Sequence, residues 1–345
     1  MSKSNFEEIM FELSAWDTLL YTILIITVMF LLSKLLTEPP PAVKIRDNKN
    51  GHKWSYTDFI INFPLHCNAC ETLLLTSTGQ CCTVCGVAAC STAKCIRTVD
   101  RKVPCKAVSR CKTVEEAKVK CSQLPKHRWV NGNLPLDSCC EICDEPAGHG
   151  PGLRDMRCIW CQVCVHEECQ TETGDRCNYG KHRKVIVPPE TVISKQGRTV
   201  SSPRRRVISQ VISSSSEAGS TPLVIVGNNK SGNSDCAAIL AGFRRHLNPA
   251  QVINLGESSM EDALEWCTLV KPRQCIIVAC GGDGTVSWLL NTVDKMKLSH
   301  TPVLAIFPLG TGNDLARALG YGSGSDASAD IDQFLTSIGK IDNKI

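Results

Sequence analysis

The sequence has little net charge and few long apolar runs, and each shortage excludes a class of protein. Its formal net charge is +4 over 345 residues, too small to argue for a nucleic-acid partner. Only residues 18–33 have the composition of a membrane segment, so a polytopic membrane protein is excluded. Hydrophobic residues amount to 43%, so the chain is not disordered throughout. The length allows two or three domains.

The apolar segment near the amino end carries no charge from Thr18 to Ser33 and is apolar on all faces. It lacks the basic start and the small-residue cleavage site of a signal peptide. A helix that is apolar all round also does not suit the core of a small domain. We therefore expect a membrane anchor helix over residues 15–37, either spanning or re-entrant. Only Lys3 precedes the segment as a cation and several basic residues follow it, which predicts that the remainder faces the cytosol.

Cysteine is concentrated in one part of the chain. Of 22 cysteines, 18 lie between Cys67 and Cys177. Such density indicates either a disulfide framework or zinc binding. Because the predicted compartment is the reducing cytosol, we interpret these cysteines as metal ligands.

The clearest metal-ligand pattern lies at residues 127–177. Two Cys-x2-Cys pairs can each give two thiolates to one ion, and tetrahedral zinc needs four ligands. The eight spaced residues therefore predict two closed structural zinc sites. These residues are His127, Cys140, Cys143, Cys158, Cys161, His166, Cys169 and Cys177.

The spacing resembles the diacylglycerol/phorbol-ester-type zinc finger first recognised in protein kinase C. That resemblance implies interleaved sites, in which His127, Cys158, Cys161 and Cys177 hold one ion and the other four residues hold the second. Ligand-binding members of the family carry particular Pro, Gly and Gln residues on their loops, and this sequence does not match that set well. A structural or membrane-docking finger is favoured, and diacylglycerol binding by the finger stays open.

A looser copy of the pattern occupies residues 52–105. Its candidate ligands are His52, Cys67, Cys70, Cys82, Cys85, Cys90, Cys95 and Cys105. Cys90 stands where the family has His, and Ala93 stands where it has Cys, so Cys95 is the nearest replacement ligand. We expect two zinc ions here as well. Which residues bind the second ion stays open. Five further cysteines fall outside both patterns and are expected to be plain thiols: Cys81, Cys111, Cys121, Cys139 and Cys164.

Residues 181–221 are expected to form a basic, Ser-rich and flexible linker. Eight Lys or Arg residues between Lys181 and Arg206 face a single acid, Glu190. This charge either attracts an anionic membrane surface or is simply solvated.

From residue 222 onwards, short apolar runs alternate with amphipathic stretches. This alternation predicts an α/β fold with a doubly wound parallel sheet, in which ligands bind beyond the carboxyl ends of the strands. Three glycine-rich loops follow the apolar runs, at residues 228–232, 281–285 and 309–314. There is no Walker loop and no complete G-x-G-x-x-G motif, so a three-loop phosphate site is predicted instead.

At these loops the sequence resembles the diacylglycerol kinase family. GGDGT at 281–285 is similar to the nucleotide loop shared with sphingosine kinases, NAD kinases and phosphofructokinases, and PLGTGNDLAR at 308–317 narrows the resemblance. The anchor and two zinc fingers, with no calcium-binding hand loops, are most similar to the epsilon type. The resemblance implies ATP and magnesium as cofactors, with Asp283 orienting phosphate and metal. The implied nucleotide-binding residues are Asn228, Lys230, Ser231, Gly232, Gly281, Gly282, Gly284, Thr285, Gly310, Thr311, Gly312, Asn313 and Asp314.

The implied reaction is transfer of the ATP γ-phosphoryl group to diacylglycerol, giving phosphatidic acid. Expected partners are diacylglycerol and anionic membrane lipids, not nucleic acid. The family's catalytic unit has a second, β-rich lobe that this sequence does not show, so residues 222–345 are expected to be the nucleotide-binding lobe alone. Turnover by this chain is accordingly expected to be weak or absent. The alternative is a membrane-bound zinc-finger adaptor without catalysis.

Overall fold

The computed structural model describes residues 20–29, 51–56, 65–74, 79–108, 111–150, 152–196, 206–212, 220–228, 235–270, 275–298, 300–309, 312–322, 324 and 331–339. Residues 20–29 are helical and exposed. Within the described ranges, no helix has both the length and the apolar character needed to cross a bilayer. The remainder of the predicted anchor, residues 15–19 and 30–37, lies outside the described residues, so the anchor stays a prediction.

The first finger, residues 52–105, is built from two small antiparallel sheets and one helix. Strands β1 (Trp54–Tyr56), β4 (Gly79–Cys82) and β5 (Ala88–Cys90) form one sheet in the order β1-β4-β5. Strands β2 (Leu65–His66) and β3 (Leu73–Leu74) form the other. Helix α1 (Ala93–Lys102) follows, and the Thr92 side chain caps it by accepting a hydrogen bond from Cys95 N.

The second finger, residues 127–177, contains a three-stranded antiparallel sheet. Its strands are β6 (Trp129–Asn131), β7 (Met156–Cys158) and β8 (Cys164–Val165), in that order. Helix α2 (Val114–Cys121) lies between the two fingers. Both fingers repeat one stacking contact, His52 on Trp54 and His127 on Trp129, which agrees with the predicted internal repeat.

The segment expected to be a flexible linker has regular structure in part. Strand β9 (Val192–Gln196) pairs with β10 (Arg206–Val211) as an antiparallel hairpin. Cys111 bridges to β9 at Ile193, and its thiol donates to the Glu190 carbonyl oxygen at 3.1 Å. The prediction that residues 181–221 form a flexible linker is therefore wrong for this hairpin. Its β-branched residues, on both strands, pack against α2 and the α/β lobe.

The α/β lobe, from residue 222 onwards, has the parallel sheet that the sequence predicts. Strands β11 (Leu223–Gly227), β12 (Val252–Asn254), β13 (Ile276–Gly281) and β14 (Val303–Pro308) lie in the order β12-β11-β13-β14, and all pairs are parallel. Five helices accompany them: α3 (Asp235–His246), α4 (Met260–Leu269), α5 (Asp283–Met296), α6 (Asp314–Ala318) and α7 (Ile331–Ile338).

The strands of this lobe are covered on both faces, which accounts for their unbroken apolar runs. On one face, Leu223 and Ile225 pack with Phe243 of α3. On the other, Val224 and Val226 pack with α4 and α5. Because the strands are parallel, the carboxyl ends of β11, β13 and β14 lie at one edge of the sheet, where the glycine-rich loops begin.

Candidate functional site

The second finger gathers its eight predicted ligands into two clusters. In each cluster the ligand atoms lie within 4.8 Å of one another, in the interleaved pairing that the resemblance implies. In one cluster Cys158 Sγ lies 4.0 Å from Cys177 Sγ, and Cys161 Sγ lies 3.4 Å from His127 Nδ1. Tetrahedral zinc with Zn–S bonds of about 2.3 Å places its sulfurs roughly 3.8 Å apart, so the cluster has the size of a zinc site.

The other cluster of this finger comprises Cys140, Cys143, His166 and Cys169. His166 Nε2 lies 3.1 Å from the Pro146 carbonyl oxygen, a contact that leaves Nδ1 facing Cys143 Sγ at 3.4 Å. A hydrogen bond on the far ring nitrogen is the usual way in which a protein orients a metal-binding histidine. The donor set and its orientation fit zinc.

The first finger also forms two four-residue clusters. His52, Cys82, Cys85 and Cys105 make one, and Cys67, Cys70, Cys90 and Cys95 make the other. His52 Nε2 lies 2.7 Å from the Val103 carbonyl oxygen, and Nδ1 lies 3.5 Å from Cys85 Sγ, which repeats the arrangement at His166. The assignment left open from the sequence now has a geometric answer, because the first turn of α1 brings Cys95 to the second cluster.

Hydrogen bonds to a threonine act on one cysteine of this second cluster. Cys70 Sγ lies 3.2 Å from Thr72 Oγ1, and hydrogen bonds to Thr72 lower the pKa of Cys70 to about 6. Thiolate is the form that binds metal, so Cys70 is ready for a metal ion near neutral pH.

The two fingers contact each other through asparagine side chains. Asn133 of the second finger accepts from His66 N at 2.7 Å and donates to His66 O at 2.8 Å, as a neighbouring strand would. Asn68 of the first finger donates to the Asn131 carbonyl oxygen at 2.7 Å. These bonds join β2 and the turn after it to the end of β6 and the loop that follows.

Both fingers also dock on the carboxyl end of α3 in the α/β lobe. Lys106 Nζ donates to the carbonyl oxygens of Arg244 at 3.1 Å and Arg245 at 2.9 Å, and it lies 4.5 Å from the centre of the Trp160 ring. Gln162 of the second finger donates to the same Arg245 oxygen at 2.9 Å. Burial lowers the pKa of Lys106 to about 7. A lysine and a glutamine thus satisfy carbonyls that the helix end leaves without partners.

The candidate nucleotide cleft lies at the carboxyl ends of β11, β13 and β14. Asn228 directly follows β11, and Gly281 to Thr285 span the turn from β13 into α5. The third loop runs from Leu309 after β14 to the start of α6. Of the predicted residues, Lys230, Ser231, Gly232, Gly310 and Thr311 lie outside the described part of the chain.

The second and third loops are locked together by backbone hydrogen bonds. Asp283 N donates to Gly312 O at 2.9 Å, and Leu309 N donates to Gly281 O at 3.3 Å. The Asp283 carboxylate adds two more bonds, because Oδ2 accepts from Asp314 N at 2.9 Å and Oδ1 accepts from Leu315 N at 3.2 Å. Asp283 therefore caps the first turn of α6 and fixes the third loop beside the second.

The predicted role of Asp283 in orienting phosphate and magnesium stays a prediction beside this observed one. A carboxylate has about four lone-pair sites, and two backbone N–H groups use only part of that capacity. The side chain is half-buried at the mouth of the cleft. It can hold the loops and still accept a further donor or metal.

Two glycines in the second loop have no room for a side chain, Gly282 because of the third-loop backbone and Gly281 because of the Thr285 side chain. A Cβ on Gly282 would lie 2.6 Å from Gly312 O, and a Cβ on Gly281 would lie 2.4 Å from Thr285 Oγ1. By contrast, a Cβ on Gly284 or Gly312 would meet no atom of the described residues within 4 Å. The first pair serves the fold, and the second pair borders open space in which a ligand has room.

The start of α5 supplies the charge that a phosphate needs. Its N-cap is Gly282, which provides no side chain to occupy the first N–H groups. The amino end of a helix carries partial positive charge and unpaired N–H groups, so it binds anions. Asp283 N and Thr285 N are already bonded to Gly312 O and Gly282 O, so what α5 offers a phosphate at this edge is chiefly its dipole and the backbone around Gly284.

These features define a class of protein: an α/β lobe with glycine-rich loops at the carboxyl edge of a parallel sheet, and paired zinc fingers docked on it. Comparison with known families agrees. Residues 222–342 match the diacylglycerol kinase catalytic domain, and residues 127–180 match the phorbol esters/diacylglycerol binding domain, or C1 domain. C1 domains bind zinc, in line with the clusters of the second finger.

Curated relatives agree with both matches. Diacylglycerol kinase eta of Drosophila sechellia is 32% identical over 299 residues, which is 83% of this chain and 14% of that protein. Human diacylglycerol kinase kappa is 38% identical over 205 residues, 57% of this chain and 15% of that protein. The domain matches and these relatives support placing the chain in the diacylglycerol kinase family. The chain spans about 14% of the length of the first of these relatives. No solved structure matches it.

Proposed function

We propose that this protein is an ATP-dependent lipid kinase that phosphorylates 1,2-diacylglycerol to phosphatidic acid. The observation that carries the proposal is the interlock between residues 281–285 and 309–315, at the carboxyl edge of a parallel sheet, within the segment that matches the diacylglycerol kinase catalytic domain. The edge of such a sheet is where nucleotides bind in α/β folds.

In this proposal each group of residues has a defined task. The amino end of α5 and the backbone around Gly284 and Gly312 bind the ATP phosphates. Asp283 keeps both loops in place and faces the phosphates. Magnesium, when bound, neutralises charge on the phosphate oxygens. The diacylglycerol hydroxyl oxygen forms a bond to the γ-phosphorus, the bond to the ADP oxygen breaks, and the hydroxyl proton passes to a base.

Two finer parts of the proposal are the type of diacylglycerol kinase and its location in the cell. The predicted amino-terminal anchor, followed by two zinc fingers, supports an epsilon-like type that is held at a membrane with its fingers and lobe in the cytosol. The basic residues between 181 and 206 support an affinity for anionic lipids.

The test combines ATP binding with label transfer from γ-labelled ATP to diacylglycerol in mixed micelles. Asp283→Ala is compared with Asn291→Ala, an exposed position further along α5. Binding plus phosphatidic acid formation, both reduced by Asp283→Ala alone, supports the kinase. ATP binding with label transfer at background, which matches the weak or absent turnover expected from the sequence, favours a nucleotide-binding membrane adaptor. Absence of ATP binding contradicts the proposed function.

A further inference from the structure

Three side chains with metal-binding atoms meet where the chain after the second finger crosses the α/β lobe. They are His182 in the short turn Gly180–His182, His246 at the end of α3 and Asp332 in the first turn of α7. One ligand atom from each lies within 4.8 Å of the others. None of the three belongs to the finger clusters or to the nucleotide loops, so the cluster is separate from both.

The spacing of these atoms approaches that of a metal site. His182 Nε2 lies 2.8 Å from Asp332 Oδ1, and His246 Nδ1 lies 4.0 Å from the same oxygen. The two imidazole rings meet edge to face, with centroids 5.7 Å apart and planes at 79°. Tetrahedral zinc with bonds of about 2.0–2.1 Å separates its ligand atoms by roughly 3.3–3.4 Å. The two distances to Asp332 Oδ1 depart from that spacing by about 0.5–0.7 Å.

Within the described residues, one nitrogen of the cluster lacks a hydrogen bond. His246 Nδ1 is buried and has no hydrogen-bond partner among the residues that the structure describes. Buried polar nitrogens are seldom left in this state, because water no longer compensates for the missing bond. His182 is also withdrawn from solvent, with 6% of its side chain exposed. A metal ion between the rings gives His246 Nδ1 the partner that the protein itself does not supply.

The ligand atoms, rather than the basic side chains around them, restrict which ion fits. Lys181 Nζ bonds to Asp332 Oδ2, the oxygen that faces away from His182, and so orients the carboxylate from outside the cluster. Lys106 and Arg157 lie near enough to act electrostatically on His246. Weakly held cations such as Mg²⁺ and Ca²⁺, which prefer several oxygen ligands, do not suit this setting. Two imidazole nitrogens and one carboxylate oxygen are a typical donor set for zinc and similar transition metals.

We propose that His182, His246 and Asp332 bind one divalent transition-metal ion of the zinc type, in addition to the zinc sites of the fingers. The three ligands come from three separate segments: the end of the second finger, α3 and α7. The ion therefore fastens the finger region to the α/β lobe, and the fourth coordination position is left to water.

Metal counting tests the proposal on the full chain. The protein is equilibrated with zinc, freed of unbound ion and assayed by elemental mass spectrometry. Wild type should hold one zinc per chain more than His246→Leu and one more than His182→Leu. His300→Leu, which alters an exposed histidine elsewhere in the lobe, should match wild type.

Cobalt distinguishes this site from the fingers, because thiolate ligands give strong sulfur-to-metal absorption that a site of nitrogen and oxygen lacks. Cobalt added to protein whose fingers are filled with zinc should bind as one equivalent without that absorption, and Asp332→Asn should abolish this binding. Asp332→Asn keeps the size of the side chain and one hydrogen-bonding oxygen. Loss of metal in this variant is therefore not explained by a folding defect of the kind that a leucine could cause. Equal zinc content in wild type, His246→Leu, His182→Leu and Asp332→Asn would overturn the proposal. Cobalt absorption of the thiolate type alone would overturn it as well.

Discussion

Replacing Gly282 with alanine tests the interlock between the second and third loops. The added Cβ would lie 2.6 Å from Gly312 O, a separation at which the backbone has to move. That movement weakens the hydrogen bond from Asp283 N to Gly312 O, which is 2.9 Å long. Taking about 1 kcal/mol for the hydrogen bond and about 1–3 kcal/mol for overpacking, we expect a loss of about 2–4 kcal/mol in the free energy of unfolding.

The assay is thermal unfolding of the zinc-loaded protein, followed by calorimetric titration with ATP. For a lobe of this size the expected loss lowers the midpoint of its transition by roughly 6–12 °C. ATP affinity should fall at least about tenfold, or about 1.4 kcal/mol, because the third loop no longer lies beside the second. Zinc content should not change, since no finger ligand is among the atoms nearest to the added Cβ.

Gly284→Ala is the matched control, because it makes the same chemical change two residues away. Nothing lies within 4 Å of its added Cβ, and alanine is favoured over glycine within a helix by about 0.5–1 kcal/mol. Its unfolding midpoint should be unchanged or higher, while ATP affinity falls because the methyl group occupies space meant for phosphate. An unchanged midpoint together with unchanged ATP affinity in Gly282→Ala would refute the interlock.

Three further predictions concern the rest of the chain. Cys95→Ser should lower the zinc content by about one ion per chain, because one cluster loses one of its four ligands. Cys121→Ser should leave the zinc content unchanged, and an equal loss in both variants would contradict the assignment of Cys95. Lys106→Met should destabilise the finger–lobe junction by about 1–3 kcal/mol, measured by urea unfolding, because the Arg244 carbonyl oxygen loses its donor and the Arg245 carbonyl oxygen keeps only Gln162; unchanged unfolding would show that this contact does not stabilise the junction. Deletion of residues 1–40 should move the protein from membranes to the soluble fraction, apart from a remainder that salt releases; binding that persists in high salt would contradict the anchor.

The sequence predicts those parts of the molecule that local patterns determine. Alternating apolar runs predict the parallel sheet, because strands covered on both faces must be apolar throughout. Cys-x2-Cys spacing predicts the zinc clusters, since two thiolates at that spacing reach one ion from a single tight turn. The identity of Cys95 as the missing ligand follows from proximity in sequence, and α1 places it accordingly.

Contacts between distant segments are what the sequence does not predict. Lys106 meets Arg244 and Arg245 across 138 and 139 residues, and no periodicity links those positions. The second role of Asp283, capping α6, depends on how the third loop turns after β14. The β9–β10 hairpin was also missed, because basic and serine-rich composition conceals its β-branched residues.

Hydrogen–deuterium exchange with and without ATP and magnesium tests most directly whether the three loops form the nucleotide site. The account predicts slower exchange on addition of ATP in peptides that cover residues 228–232, 281–285 and 310–314, with exchange in the finger peptides unchanged. Unaltered exchange in all three loops at saturating ATP, or protection confined to the fingers, would contradict it.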